Sequence, residues 1–380
     1  MDFELSQDHK VLRDSVRDFV VKEVKPLARQ IDEEHAVPDA LVRKMAELGL
    51  LGSYLPQEYG GAGLDTLSYA IVVEEVSKAC ASSGVVISAH TSLACDPIYR
   101  FGTEEQKRRW LTPLASGEVI GCFLLSEPGS GSDAASISTT YRRDGDYFVI
   151  SGSKIFITNG GYRGTGIVFA TSDRSLKHKG ISAFIVDLAS PGVEILRNEK
   201  KLGIRGSFTT AFALDGVRVP AENLLGSEGQ GFRVAMETLN GGRIGIAAQA
   251  LGIAEGAFAL ALSYSKERRQ FGAPISDLQG IQFKLADMYL RIESSRLATY
   301  KAACVKDAGG SYAFESAVAK LLASETATYV TKEAIQIHGG YGYVEEYEVE
   351  RMYRDAKITE IYEGTSEVQR VIIAKHLLQA

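Results

Sequence analysis

A chain of 380 residues, 45% of them hydrophobic, can fill more than one core, so two or three domains of ~150 residues are expected. The formal net charge of -6 and a pI near 5.7 give no basic field to draw a phosphate backbone, which argues against nucleic acid as a partner. Met1-Asp2-Phe3-Glu4-Leu5 has no basic run followed by an apolar stretch, and no apolar run reads as long enough to span a bilayer; no secretory signal and no membrane insertion are expected, and the cytoplasm is the default location.

Residues 1 to 118 read as a helical domain. Val11, Leu12, Val16, Phe19, Val20 and Val24 make one apolar stripe, Pro38 opens a helix carrying Leu41, Val42, Met45 and Leu48, and Thr103-Glu104-Glu105-Gln106 is a capping-box pattern. Across 119–228 the period changes to two. Gly121–Ser126, Asp146–Thr158, Ile167–Ser172, Ile181–Asp187, Val193–Leu196 and Thr209–Val219 are short, rich in β-branched and aromatic residues, and separated by turn residues, as expected of an antiparallel β domain. From 229 to 380 the helical period returns, in Ile281, Leu285, Met288, Ile292 and Leu297 and again in Val318, Leu321, Leu322 and Ala327, and the length and alanine content favour an antiparallel bundle. The order has no βαβ alternation, P-loop or G-x-G-x-x-G, which excludes a Rossmann domain, and no G-x-S-x-G, which argues against an α/β-hydrolase. Cys80, Cys95, Cys122 and Cys304 lie far apart among apolar or small residues and read as reduced, packed thiols. The six histidines are equally scattered, so no metal is expected.

Five runs carry candidate chemistry. In Cys122-Phe123-Leu124-Leu125-Ser126-Glu127-Pro128-Gly129-Ser130-Gly131-Ser132-Asp133 a strand ends in a Pro-Gly turn whose backbone N–H groups and hydroxyls suit a phosphate or a flat ring edge, or simply make a turn. Lys154-Ile155-Phe156-Ile157-Thr158-Asn159 puts an aromatic and a hydroxyl on one strand face, where Phe156 is either a platform for a ring or core. Arg268-Arg269-Gln270-Phe271-Gly272 follows a helix and offers guanidinium to a pyrophosphate or to the helix end. Gln336-Ile337-His338-Gly339-Gly340-Tyr341 permits close approach of a ligand or forms a helix C-cap, with His338 read as a packing residue. In Ile361-Tyr362-Glu363-Gly364-Thr365-Ser366-Glu367 a carboxylate stands beside a glycine and two hydroxyls at a helix entrance, which suits a base near free N–H donors or a solvated cap.

Taken together and in order, these runs resemble the acyl-CoA dehydrogenase family over essentially the whole chain, and Gly242-Arg243-Ile244-Gly245-Ile246-Ala247 is most similar to its short-chain, butyryl-CoA branch. The resemblance implies a three-domain fold with a helical amino-terminal domain, a middle antiparallel β-barrel domain and a carboxyl-terminal four-helix bundle. It implies FAD and a homotetramer. Phe123, Leu125 and Ser126 would meet the isoalloxazine edge with Phe156 and Thr158 on its other face. Arg268, Gln270, Phe271, Gln336 and Gly340 would hold the pyrophosphate and adenosine part across a subunit boundary, and Thr365 and Glu367 would contact the dinucleotide of their own subunit. Ser132 and Arg243 match positions that hold the CoA arm, with Tyr362 and Gly364 along the thioester.

By the same resemblance Glu363 removes the α-proton while the β-hydride passes to flavin N5, giving a trans-2-enoyl-CoA. An apolar acyl slot that excludes water should raise the Glu363 pKa toward working pH. One branch, acting on isovaleryl-CoA, carries its base at the position that here is Gly242. Asp96 departs from the family pattern, in a segment that lines the acyl pocket. It is expected either to cap a helix beginning at Pro97 or to form a polar wall for a branched or alicyclic acyl group. The leading expectation is a dehydrogenase that passes electrons to electron transfer flavoprotein. An acyl-CoA oxidase, whose chains usually carry a further carboxyl-terminal helical domain beyond the point where this one stops at Ala380, and a flavin-free acyl-CoA binding protein are the alternatives.

Overall fold

The computed structural model describes residues 4–379, so Met1–Phe3 of the amino-terminal run and Ala380 lie outside the described residues. Ser6 caps the first helix, α1 (Gln7–Phe19), by accepting the His9 N–H at 3.2 Å. Val16 is buried on α1, and Val20 and Val24 on the π-helical turn that continues it, whereas Val11 is exposed: five residues before Val16, it points about 140° away around the helix. After α2 (Ala28–Glu34), α3 (Asp39–Glu47) follows Pro38, burying Leu41, Val42 and Met45 and leaving Leu48 beyond its end and exposed. Next come α4 (Thr66–Ser77) and α5 (Ala81–Ala89), every residue of which is buried, so neither has a polar face.

Helical geometry continues from α5 through a π-helical turn, His90–Cys95, into α6 (Asp96–Phe101). Asp96 therefore caps nothing: at φ -54° it lies inside a continuous helix, and a cap needs the extended backbone of a helix's first flanking residue. The capping box at Thr103 does form, opening α7 (Glu104–Gln106), and α8 (Thr112–Ala115) completes the helical layer. His90 ties this layer to the sheet. Its Nδ1 accepts the Gly121 N–H at 2.9 Å, so Nε2 carries the proton, which points to the Leu114 carbonyl at 2.9 Å. Burial pushes its pKa down to about 4, and the ring stays neutral.

Eight strands follow: β1 (Gly121–Leu124), β2 (Thr140–Asp144), β3 (Tyr147–Thr158), β4 (Thr165–Thr171), β5 (Ile181–Asp187), β6 (Val193–Asn198), β7 (Thr209–Pro220) and β8 (Leu224–Leu225). They make one sheet in the order β6-β7-β3-β2-β4-β5-β8, with β1 on β4. The sheet is mixed and not purely antiparallel, because β4 pairs in parallel with both β1 and β2. Alternation divides the core: Ile167 and Phe169 of β4 pack with Leu111, Leu114 and Val234, while Val168 and Ala170 pack on the other face with Phe148, Phe184 and Phe212.

The carboxyl-terminal part has three long helices, α9 (Gly231–Glu267), α10 (Gln279–Asp307) and α11 (Ala313–His338), and two shorter ones, α12 (Val349–Ala356) and α13 (Ser366–Gln379), with a small hairpin of β9 (Arg269–Gln270) and β10 (Ala273–Pro274) after α9. The α9 helix is, by length and composition, apolar enough to cross a bilayer, contrary to the sequence expectation, but 78% of its most apolar window is buried within the protein, as befits a core helix. It packs so closely under α4 that a Cβ on Gly252 would come within 2.3 Å of the Glu74 carbonyl oxygen. The core face of α11 is made of Ala317, Ala323, Ala327, Val330 and Ala334, while Leu321 and Leu322 are only partly buried. Three cysteines are buried and Cys304 is exposed, because Met288, Ile292, Thr299 and Ala303 take the inner face of α10.

Candidate active site

A cavity of about 760 Å³ opens between the sheet, the amino-terminal half of α9 and the loop that leads into α13, within the usual range of small-molecule and cofactor sites. Phe123, Leu125, Ser126, Ser132, Phe156, Thr158, Arg243, Tyr362, Glu363, Gly364 and Thr365 all line it, brought together from four stretches of sequence. Phe123 leans on Phe169 with ring centroids 4.7 Å apart. Phe156 arrives differently. Register between β3 and β7 slips between Lys154 and Ile157, and in this bulge Phe156 takes φ +60°, a left-handed conformation that costs roughly 1 kcal/mol for a bulky residue. The bulge turns the ring into the cavity, where 63% of the residue is exposed.

The turn after β1 is fixed from beneath. Lys154 Nζ meets Glu127 Oε1 at 2.8 Å with both side chains buried, and Glu127 also accepts the backbone N–H groups of Ser138 and Thr139 at 2.5 and 3.0 Å. Burial works to raise the Glu127 carboxyl, but Lys154 and these donors outweigh it and hold it at about 2. Burial also pulls Lys154 down to about 8 against the attraction of its partner.

Glu363 lies in the wall of the cavity. Its backbone is left-handed at φ +52°, followed by Gly364 at +93°, and Thr365 then caps α13 by accepting the Val368 N–H at 3.3 Å. Oε2 of Glu363 is buried with no hydrogen-bond partner. Burial pushes this carboxyl up to about 7, while Lys320 and then Arg243 oppose the rise. The carboxylate faces α9 where the chain has no side chain: a Cβ on Gly242 would stand 2.1 Å from Oε2 and 2.8 Å from a Leu93 methyl. Tyr362 is tethered by its hydroxyl to Gln249, which in turn donates to the Ala81 carbonyl at 2.9 Å. Arg243 is 5% exposed, donates to Asn240 at 2.7 Å and keeps its Nε buried without a partner.

The remaining predicted residues lie elsewhere. Arg268, Gln270 and Gly340 line a second, shallower hollow of about 490 Å³, with Tyr264, His338 and Tyr341. His338 stacks on Tyr264 with centroids 4.3 Å apart and pairs through Nδ1 with the Ala334 carbonyl, a packing role. Phe271 stands at the β9–β10 turn, 94% exposed, and Gln336 and Glu367 are exposed. Asp96 does not line the main cavity. It is 2% exposed, accepts the Tyr54 hydroxyl at 3.1 Å and pairs with Lys306 at 3.4 Å and Arg100 at 3.7 Å.

Sequence reasoning missed Lys320, Gln249 and Gln369. Lys320 left one signal, a single lysine on the small-residue face of an alanine-rich helix. The cavity fits the flavin that the resemblance implies: an exposed aromatic ring on a bulge, hydroxyls of Ser126 and Thr158, and an unpartnered carboxylate across from them meet in one apolar chamber.

Family models described as the acyl-CoA dehydrogenase N-terminal, middle and C-terminal domains match residues 6–118, 122–217 and 229–378. A short-chain specific mitochondrial acyl-CoA dehydrogenase of Mus musculus is 54% identical over 377 residues, which covers 99% of this chain and 92% of that protein. The butyryl-CoA dehydrogenase of Megasphaera elsdenii superposes with a TM-score of 0.98 at 47% identity, covering 100% of both chains. A chain from structural work on the electron transferring flavoprotein of Acidaminococcus fermentans and flavin-based electron bifurcation superposes with a TM-score of 0.99 at 48% identity, again covering 100% of both chains.

Proposed function

The chain belongs to the acyl-CoA dehydrogenase family, and from that premise we propose that it oxidises a short-chain acyl-CoA thioester to the trans-2-enoyl-CoA and passes the electrons to an electron transfer flavoprotein. The reading rests above all on the Glu363 carboxyl, unpartnered, near neutrality and set against a bare glycine in an apolar chamber.

An α-proton beside a thioester is weakly acidic, so its removal needs a base already ionised at working pH and donors for the charge that develops on the carbonyl oxygen. Glu363 takes that proton, and its backbone N–H donates to the thioester oxygen. Val85, Ala89, Leu93 and Leu239 in the same wall exclude water from the acyl chain, which keeps the carboxylate basic. Ser132 and Arg243 hold the CoA arm, and Tyr362 and Gly364 flank the thioester. FAD is the family's cofactor, and when bound it supplies the acceptor for the hydride that leaves the β-carbon. Phe123, Leu125, Ser126, Phe156, Thr158, Thr365 and Glu367 would hold it in one subunit, with Arg268, Gln270, Phe271, Gln336 and Gly340 contributed across a subunit boundary. Asp96, committed to Tyr54, Lys306 and Arg100, gives no support to an alicyclic substrate.

A homotetramer accords with the surface. Phe283, Leu290 and Leu297 recur every seventh residue of α10, all at least half exposed, and Val371, Leu377 and Leu378 lie open on α13.

Anaerobic addition of butyryl-CoA to the purified yellow protein should bleach the flavin absorbance. Glu363→Gln should retain the flavin and bind the thioester but reduce it about 100- to 10,000-fold more slowly, because an amide cannot accept the proton. Near-normal bleaching by that variant would defeat the base assignment, and no bleaching of wild type by any short acyl-CoA would defeat the substrate class.

A further inference from the structure

Lys320 is fully buried on the inner face of α11, between Ser316, Ala317, Ala323 and Ser324, which are buried with it. A buried ammonium is strongly disfavoured unless something compensates it. Here its Nζ donates at 2.7 Å to a neutral group, the Gly364 carbonyl. The same carbonyl accepts Gln369 Nε2 at 2.8 Å, and that amide also reaches the Glu363 carbonyl at 3.3 Å. Two side chains from two helices thus grip the peptide units between and just after a pair of left-handed residues, Glu363 and Gly364. Left-handed geometry at a glutamate persists only where its surroundings enforce it.

We propose that Lys320 is a positioning residue for α-proton transfer: it pins the Gly364 carbonyl so that Glu363 stays aimed past Gly242 into the cavity, and its charge favours the carboxylate over the carboxylic acid. The inference rests on Glu363 being the base. The charged and titratable groups around that carboxyl are Lys320 from α11, Arg243 from α9, Tyr69 from α4 and the adjoining Tyr362. Lys320 in turn feels Arg243, Glu360 and Glu367 besides Glu363. Of the two cations, Lys320 acts more strongly on Glu363, and Arg243 has its Nη1 turned to Asn240. Gln369 holds the loop without charge, so geometry and charge can be separated by substitution.

The test follows flavin reduction by butyryl-CoA against pH in wild type, Lys320→Met, Lys320→Gln and Lys320→Arg holoenzymes, with flavin content measured for each. Lys320→Met should fill with flavin yet show its acid limb displaced upward, so that the rate at pH 7 drops about fivefold or more and recovers near pH 9. Lys320→Gln, which keeps a donor for the carbonyl, should show the displaced limb with a smaller loss on the plateau, and Lys320→Arg should restore the limb. Should the Met variant fail to accumulate as holoenzyme, the Gln variant alone decides the matter through its pH profile. Flavin-loaded variants whose acid limb matches wild type would overturn the proposal. If Glu363→Gln itself reduces at a near-normal rate, the base assignment fails first, an outcome distinct from an unmoved limb in Lys320 variants of an enzyme that needs Glu363.

Discussion

At Glu363 the pKa has a direct kinetic meaning. A base held at about 7 by burial is largely protonated at pH 6 and largely ionised at pH 8, so single-turnover reduction should rise across that interval with a midpoint near 7. Stopped-flow flavin bleaching checks it, and a rate that is flat from pH 6 to 8 would contradict it. Gly242 makes the second prediction at this scale. Gly242→Ala would drive a methyl into the space of the carboxylate, so stability should fall by about 1–3 kcal/mol and reduction should fall at least about tenfold while flavin remains bound. Thermal unfolding and rapid-reaction kinetics on the same preparation read both. Glu363 was legible as a candidate, since a carboxylate beside glycine at a helix entrance suits a base or a solvated cap, and its assignment as the base came through the resemblance of the whole chain. Lys320 left only its place on the small-residue face of an alanine-rich helix, and its importance exists only once α11 has set that face under the Glu363 loop.

Among the elements, β3 does the most to shape the site, and it depends on the buried Lys154–Glu127 pair. Lys154→Met should cost about 3–5 kcal/mol, because it leaves the Glu127 carboxylate buried with its cation gone. The pH dependence has a defined sign. Glu127 is held at about 2 in the folded chain against an ordinary value of 4.5, so its contribution is complete above about 4.5 and is lost as pH falls toward 2. Urea unfolding of wild type and Glu127→Gln should therefore differ at pH 6 and converge as the medium is acidified, and a gap that stays constant to pH 3 would refute the pairing. The same region shows where period reading succeeds and fails. Strands β4 and β5 were legible as apolar β-branched runs. Strand β2 was not, because Thr140-Tyr141-Arg142-Arg143-Asp144 buries only Tyr141 and owes its strand geometry to pairing with β3. The bulge that turns Phe156 inward was equally hidden, since strict alternation predicts neither the slip in register nor a positive φ.

For the molecule as a whole, helices flanking a sheet-rich middle were legible because the hydrophobic period changes twice along the chain, while the face of α11 was misread because its contacts are made by alanines and not by the larger Leu321 and Leu322. The seam of Phe283, Leu290 and Leu297 on α10 should be closed in solution: the wild type should sediment as four chains, and Leu290→Glu with Leu297→Glu should shift it to smaller species in analytical ultracentrifugation. The hollow beside the β9–β10 hairpin, with Phe271 standing 94% exposed at its tip, lies apart from the chamber that holds Glu363. On the reading that this hairpin serves a neighbouring subunit, each flavin is gripped by residues of more than one chain, and its retention follows mass action among protomers. Bound flavin then becomes a gauge of assembly: dilution would release the cofactor at concentrations where every chain is still folded.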